Sequence, residues 1–359
     1  MARAALDDLD RLLLNRLQED FPLVAEPYAA LGEALGTSAE DVLARIARLR
    51  SARIIRQISA IFDTRALGYH STLVALQLPP EHLEAAAALV SAHPGVSHNY
   101  ARKHQYNLWF TLAVPPWQDV EEAVARLGER AGALVTRVLP TLRLFKIGVR
   151  LDVAGEREPE AQEQGRVYAA ADVARGQAAP LTARDIAFIR ELQRDLPHTR
   201  RPFDGYAQAL GCPLEGLFAW CAAMTACGKM RRFSAVLRHQ NAGFVSNAMG
   251  VWRVPPERVD EVGPAMAAFA SVSHCYERPT YPDFPYNVYT MVHGRSPEEC
   301  LRTLEAIAAR TGVAERQYLW SSREFKKERV QYFLEGEMPP GLGAPEAPVV
   351  GLTPVGSAG

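Results

Sequence analysis

Val96-Ser97-His98-Asn99-Tyr100-Ala101-Arg102 returns in the second half of the chain as Val272-Ser273-His274-Cys275-Tyr276-Glu277-Arg278. Upstream of it, Ala34-Leu35-Gly36 and Arg56-Gln57-Ile58-Ser59-Ala60 return as Ala209-Leu210-Gly211 and Arg231-Arg232-Phe233-Ser234-Ala235. Downstream, Tyr106-Asn107 matches Tyr286-Asn287, and Phe145-Lys146 matches Phe325-Lys326. Matches in the same order at a nearly constant offset mark an internal repeat, so the chain is two diverged copies of one unit.

Each copy reads as the same series of elements. In the first, Leu9, Leu12, Leu13 and Leu17 share one face of a helix over Leu6 to Gln18. A second helix over about Tyr28 to Leu35 stops at Gly36, and Thr37 or Ser38 caps a third that runs to about Leu49. Three short helices with a glycine turn before the last make a helix-turn-helix pattern. Apolar alternation then predicts strands over Ser71–Leu78, Val96–His104, Tyr106–Val114 and Thr136–Ile147, with helices over Glu81–Ala92 and Gln118–Ala131. That order, βαββαβ, is the ferredoxin-like split unit. The second copy repeats it, with strands near Asn247–Val254, Val272–Arg278, Tyr286–Val292 and Glu315–Phe325.

The fold class is therefore α+β, two tandem copies of a winged helix-turn-helix and a ferredoxin-like domain. The expected divisions are a helix-turn-helix domain over 1–65, a ferredoxin-like domain over 66–152, a linker over 153–180, a second helix-turn-helix domain over 181–240 and a second ferredoxin-like domain over 241–335. The Pro/Gly-rich tail, 336–359, lacks apolar periodicity and reads as disordered.

Composition narrows the function. The 359 residues are 48% hydrophobic and 23% charged, enough apolar material for sizeable cores. Forty Lys+Arg against 41 Asp+Glu leave a net charge of -1, so a chain-wide basic field for nucleic acid is absent. No apolar run is long enough to span a membrane, and the first residues lack a secretory h-region, which points to a cytoplasmic protein. The five cysteines show no C-x-x-C spacing and read as buried thiols in a reducing compartment, not as a zinc or disulfide framework.

The repeated motif is unusual for a strand. Alternation places His98, Tyr100, Arg102 and His104 on one face, where a strand packed on helices would carry Val, Ile or Leu. The second copy presents His274, Tyr276 and Arg278, followed by an insertion containing Pro279, Pro282 and Pro285. Thr280 stands where His104 would recur, with Tyr281 beside it, so the copies are not chemically equivalent. A lone histidine on a strand is more often structural than functional; the duplication of His-x-Tyr-x-Arg tips the balance toward a site. His70, His82, His93, His198 and His293 lack such company and read as ordinary, and Trp109 and Tyr289 read as core.

The helix-turn-helix followed by βαββαβ resembles the Lrp/AsnC family of regulators, over most of 6–150 and more weakly over 181–330. The residues carrying this likeness are Leu6-Asp7-Asp8-Leu9-Asp10, Leu17-Gln18-Glu19-Asp20 and Arg48-Leu49-Arg50 to Ile54-Ile55. A narrower likeness lies in His98-Asn99-Tyr100-Ala101-Arg102-Lys103-His104-Gln105-Tyr106-Asn107-Leu108-Trp109-Phe110-Thr111, which resembles the signature of the siroheme decarboxylases, in the fused form that joins their D and L parts. The resemblance implies conversion of siroheme to 12,18-didecarboxysiroheme with release of two CO2, on the way to heme d1 or heme.

Siroheme carries eight carboxylates around a flat ring, which calls for cations at its edge and apolar or aromatic walls on its faces. Edge candidates are Arg56, Arg102, Arg143, Lys146, Arg231, Arg232, Arg238, Arg278 and Lys326. His98, His104, His274 and Tyr276 are the candidate proton donors, with Tyr281 an auxiliary donor to the substrate; His98 or His274 would equally serve as an axial ligand to the substrate iron. No cofactor beyond the iron tetrapyrrole is expected, because decarboxylation with protonation is redox-neutral.

The alternative is a DNA-binding regulator that senses a tetrapyrrole or an amino acid. The third helix offers Arg45, Arg48, Arg50 and Arg53, but its counterpart over Leu214 to Met224 contains no Lys or Arg. A two-fold operator needs two similar recognition helices, so DNA binding would require a homodimer of the fusion. The expected partners are thus the tetrapyrrole and its product, with a homodimer left open and no nucleic acid or membrane. The sheets of the two copies are expected to pair face to face, with the pocket near that pairing.

Overall fold

The computed structural model describes residues 6–19, 21–147, 180–237 and 246–334. The linker and tail expected over 153–180 and 336–359 thus lie outside the described residues, apart from Pro180 at the linker's end, as does Arg238. In the first copy, helices α1 (Asp8–Glu19), α2 (Pro27–Leu35) and α3 (Ala39–Ser51) precede strand β1 (Ile55–Phe62). Gly36 ends α2 in the left-handed conformation, and the Ser38 hydroxyl accepts the Asp41 N–H to cap α3. There follow β2 (His70–Gln77), α4 (Leu83–Ala92), β3 (Val96–Arg102), β4 (Leu108–Val114), α5 (Val120–Arg130), β5 (Val135–Pro140) and β6 (Arg143–Ile147).

The second copy has α6 (Ala183–Leu192), α7 (Asp204–Ala209), α8 (Leu214–Ala226) and β7 (Met230–Leu237). It continues with β8 (Ser246–Trp252), α9 (Val259–Ala267), β9 (Val272–Glu277), β10 (Val288–Gly294), α10 (Pro297–Thr311) and β11 (Arg316–Lys327). Both βαββαβ units are present in the expected order.

The sheet connects the copies in a way that the sequence does not announce. Nine strands run in the order β5-β2-β4-β3-β11-β8-β10-β9-β6. The first half of β11 pairs with β8 of its own copy, and its second half crosses to pair with β3 of the other. The stretch expected as one strand over Thr136–Ile147 does the same: β5 pairs with β2, the chain bends at Thr141-Leu142, and β6 pairs with β9. Each copy's last strand is thus exchanged, and β5 and β6 at the two ends of the order curl the sheet back on itself.

Packing follows the exchange. Phe325 of the second copy packs into the core beneath α4 and α5, while Phe145 of the first packs into the core beneath α9 and α10. A Cβ on Gly263 of α9 would lie 2.4 Å from the Phe145 ring, so glycine is what allows this close approach. Between the inner faces of the two half-sheets lies a shared core of Ala75, Trp109, Leu139, Met249, Val251, Phe284, Tyr289 and Leu319. The half-sheets therefore face each other as well as joining at their edges.

The helical parts share a single core that draws on α1–α3 and on α6–α8. They are tied by a two-stranded antiparallel ribbon of β1 and β7, one strand from each copy. Helix α8 buries Leu217, Cys221 and Met224, as expected of so apolar a segment. On α3, Arg45 pairs with Asp7, Asp10 and Asp41, Arg48 pairs with Asp10, and Arg50 pairs with Asp195. Three of the four arginines weighed for DNA contact, Arg45, Arg48 and Arg50, are thus committed to carboxylates of the chain itself. No helix among the described residues is long and apolar enough to cross a membrane.

Candidate active site

Beneath the β1/β7 ribbon, and floored by the inner face of the curled sheet, lies a cavity of about 1000 Å³. It is lined from both copies, because the exchanged strands bring the faces of β3 and β9 to one space. That volume is at the upper end of the roughly 300–1,000 Å³ usual for ligand pockets. Its walls carry nine cations (Arg56, Arg65, Arg102, Lys146, Arg231, Arg232, Arg278, Lys327 and Arg329) against the carboxylates of Glu19, Asp63 and Glu328. A chain of near-zero net charge has concentrated positive charge here, as a polyanionic ligand requires.

The two repeated faces open onto this cavity with matching geometry. The Ser97 hydroxyl lies 2.9 Å from His98 Nδ1, and the Ser273 hydroxyl 2.8 Å from His274 Nδ1. In each case the serine holds the imidazole ring through Nδ1. Each histidine stands beside the tyrosine two residues on, with ring centroids 6.3 Å apart for His98–Tyr100 and 5.9 Å for His274–Tyr276. Arg102 donates to the Leu319 carbonyl at 2.5 Å, and Arg278 donates to that of Leu139. The two arginines are 5% and 8% exposed, and the Nε of each has no hydrogen-bond partner among the described residues. A buried, half-satisfied guanidinium is costly unless a ligand completes it.

Burial and like charge set the protonation states. Desolvation lowers Arg102 and Arg278 to about 10. His274 is driven down to about 3, first by desolvation and then by the charges of Arg231, Lys327, Arg278 and Lys146. Its imidazole is therefore held neutral across the physiological range. Burial raises Tyr276, so its phenol remains protonated. Desolvation, with Arg56 adding to it, lowers Lys327 to about 8.

The cavity brings together His98, His274, Tyr276, Arg56, Arg102, Arg231, Arg232 and Arg278. Arg231 is held by Asp63 at 2.5 Å, Arg232 reaches Ser234 at 3.0 Å, and Arg56 donates to the Lys327 carbonyl at 2.5 Å. Two expected members lie elsewhere. Strand β3 ends at Arg102, so its alternation does not extend to His104, whose Nδ1 instead accepts the Tyr106 N–H at 3.1 Å in the turn before β4. Tyr281 lies in the proline-containing insertion and donates to the Val138 carbonyl at 2.7 Å, with Arg137 over its ring.

The other edge candidates divide similarly. Arg143 pairs with Asp260 and Glu277, and Lys326 donates to the Ser91 carbonyl at 2.8 Å, both away from the cavity. Lys146 lines the cavity while donating to the Phe269 carbonyl at 2.9 Å. Arg65, Lys327, Arg329 and His293 were missed as lining residues. Lys327 directly follows the repeated Phe-Lys pair, but only strand pairing sets it here; Arg65 and Arg329 lie in irregular segments that no periodicity places. Trp109 and Tyr289 are core residues, as expected, and also cavity floor. Among the described residues no group of three or more His, Cys, Asp or Glu is placed to hold a metal ion.

Comparison with known proteins supplies the family. Residues 10–56 match the siroheme decarboxylase NirDL-like HTH domain, and residues 66–146 and 241–326 each match the AsnC-like ligand binding domain. The chain is 41% identical over 324 residues to a siroheme decarboxylase of Hydrogenobacter thermophilus, covering 90% of this chain and 94% of that one. It is 36% identical over 327 residues to the siroheme decarboxylase NirDL subunit of Paracoccus pantotrophus, covering 90% and 96%. A crystal structure of the siroheme decarboxylase NirDL with an iron-uroporphyrin III analogue superposes with a TM-score of 0.67 at 35% identity, over 91% of this chain and 95% of that chain. With two copies of the ligand-binding domain closing around one cationic cavity, and with this identity over nine-tenths of its length, the chain belongs to the siroheme decarboxylase family.

Proposed function

We propose that the protein is a carboxy-lyase that converts siroheme to 12,18-didecarboxysiroheme, releasing two CO2. The observation that carries this reading is the single cationic cavity with two His-x-Tyr-x-Arg faces. Its cations suit the many carboxylates of the macrocycle, and its paired faces suit two equivalent chemical events. Each charge-assisted hydrogen bond to a carboxylate contributes on the order of 1.5–3 kcal/mol, so two or three arginines suffice to orient the ring.

At each acetate arm the C–C bond to the carboxylate breaks, CO2 leaves, and the electron pair passes into the macrocycle. A proton then completes the methyl group. The departing carboxylate must stay ionised, while a neighbouring group supplies the proton. Arg102 and Arg278 hold carboxylates, and His98 and His274, with Tyr276, are the groups beside the reacting arms. Burial and the surrounding cations keep His274 neutral, so it has a proton to give only once substrate carboxylates offset those charges. The same neutral imidazole is suited to ligate the substrate iron. The exchange of CO2 for a proton is redox-neutral, so the reaction calls for no cofactor beyond the substrate's own iron. The product would feed heme d1 formation, for which the fused arrangement speaks.

The test is anaerobic incubation of the whole chain with siroheme, followed by mass analysis of the extracted tetrapyrrole. Loss of two CO2 is the expected result. Siroheme recovered intact from the protein would overturn the assignment.

A further inference from the structure

The two halves of the cavity share a frame but differ in what the exchanged strands bring to it. Opposite His98 in the β3–β11 register stands Lys327, and opposite Tyr100 stands Glu324. The corresponding positions opposite His274 and Tyr276 on β6 are Ile147 and Leu144. Directly paired residues on adjacent strands share a face, so one histidine has an ammonium and the other an isoleucine as its cross-strand neighbour. Both Lys327 and Ile147 line the cavity. The Tyr100 hydroxyl donates to Glu324 at 3.2 Å, a contact that Leu144 cannot offer Tyr276.

We infer that Lys327 is a substrate-contacting residue that serves one decarboxylation and not the other, by holding the carboxylate that lies beside His98. This rests on the reading of the cavity as a siroheme site. The charged groups around Lys327 are Arg56 of β1, Glu324 on its own strand, and His98 and Tyr100 of β3, and its charge also reaches His274 of β9. Its ammonium is largely withdrawn from water, with Glu324 and Arg56 acting on it in opposite senses, and a substrate carboxylate offsets the desolvation. Siroheme has no two-fold axis, whereas the frame of the cavity nearly does. A single ammonium facing an isoleucine therefore also gives the pocket a means of fixing one orientation of the ring.

The experiment compares the full chain with Lys327→Met, which keeps the stem and removes the charge, and with Lys327→Arg, which keeps the charge. Siroheme turnover is followed anaerobically by mass analysis, and binding of iron-uroporphyrin III is followed separately by absorbance. Lys327→Met is expected to accumulate the singly decarboxylated tetrapyrrole and to bind the analogue about tenfold more weakly, with Lys327→Arg restoring most of both. Equal slowing of both CO2 losses with no singly decarboxylated species would overturn the proposal, as would unchanged binding and turnover. Should the unaltered chain release no CO2, the decarboxylase reading falls. The analogue titration then still decides whether Lys327 contacts a polycarboxylate ring, with unchanged affinity counting against it. Unfolding midpoints of the three proteins, if equal, separate contact from structural damage.

Discussion

The half of the cavity built on β3 and the half built on β9 were once the same, and what each has kept is informative. Both retain the serine against the imidazole, the tyrosine beside it and the buried arginine donating to a backbone carbonyl, of Leu319 on β11 or Leu139 on β5. They differ where the exchanged strand enters: Glu324 and Lys327 stand opposite Tyr100 and His98, Leu144 and Ile147 opposite Tyr276 and His274. The helices diverge in a different sense. Helix α3 has arginines locked onto Asp7, Asp10, Asp41 and Asp195, while α8 has lost basic residues altogether. The residues that face the shared cavity are held in parallel, whereas the basic residues of α3 are paired with carboxylates and α8 has none.

If both halves act, removing both imidazoles gives the largest effect. His98→Ala combined with His274→Ala is expected to lower the rate of CO2 release by roughly 10²–10⁴-fold, measured as single-turnover kinetics on siroheme. Near-normal release would remove the histidines from the chemistry and end the comparison. Next come the arginines. Arg102→Met and Arg278→Met should each weaken iron-uroporphyrin III binding by about tenfold or more in an absorbance titration, since each loses a charge-assisted hydrogen bond. A loss at one arginine only would assign the ring's carboxylates to one half.

The third effect concerns pH. His274 has its folded pKa pushed down to about 3 while an unfolded histidine titrates near 6.5. The unfolded state therefore binds the extra proton first, and stability present above pH 6.5 is lost as pH falls below it. The slope from this group is at most about 1.4 kcal/mol per pH unit. His274→Gln should flatten the fall in denaturant midpoint between pH 6.5 and 5, and an unchanged slope would show that the cations around it are offset in the unliganded protein. The smallest effects belong outside the cavity. His104→Ala should leave turnover unchanged, and Tyr281→Phe should cost about 1 kcal/mol of stability through its lost hydrogen bond to Val138 without touching activity.

The duplication, both βαββαβ units and the face carrying His98, Tyr100 and Arg102 were legible because they are local: they rest on repeated words and on two-residue alternation. His104 was misplaced because alternation was carried past Arg102, where a turn replaces the strand. Lys327 was overlooked for a deeper reason. In sequence it belongs to the second copy, and only the crossing of β11 sets it opposite His98 of the first. Strand exchange is a property of pairing between distant segments, and no pattern within Arg316–Lys327 tells which neighbour its second half will choose. The β1/β7 ribbon, pairing the two copies across their helical parts, escaped for the same reason.

The measurement that bears most directly on the central claim is the product formed by each single variant, His98→Ala and His274→Ala, after exhaustive anaerobic incubation with siroheme. If each half of the cavity serves one acetate arm, each variant will stop after one CO2, and the two singly decarboxylated tetrapyrroles will be different isomers, separable by chromatography. Full decarboxylation by either variant, or the same isomer from both, would contradict the account and place the chemistry in one half alone.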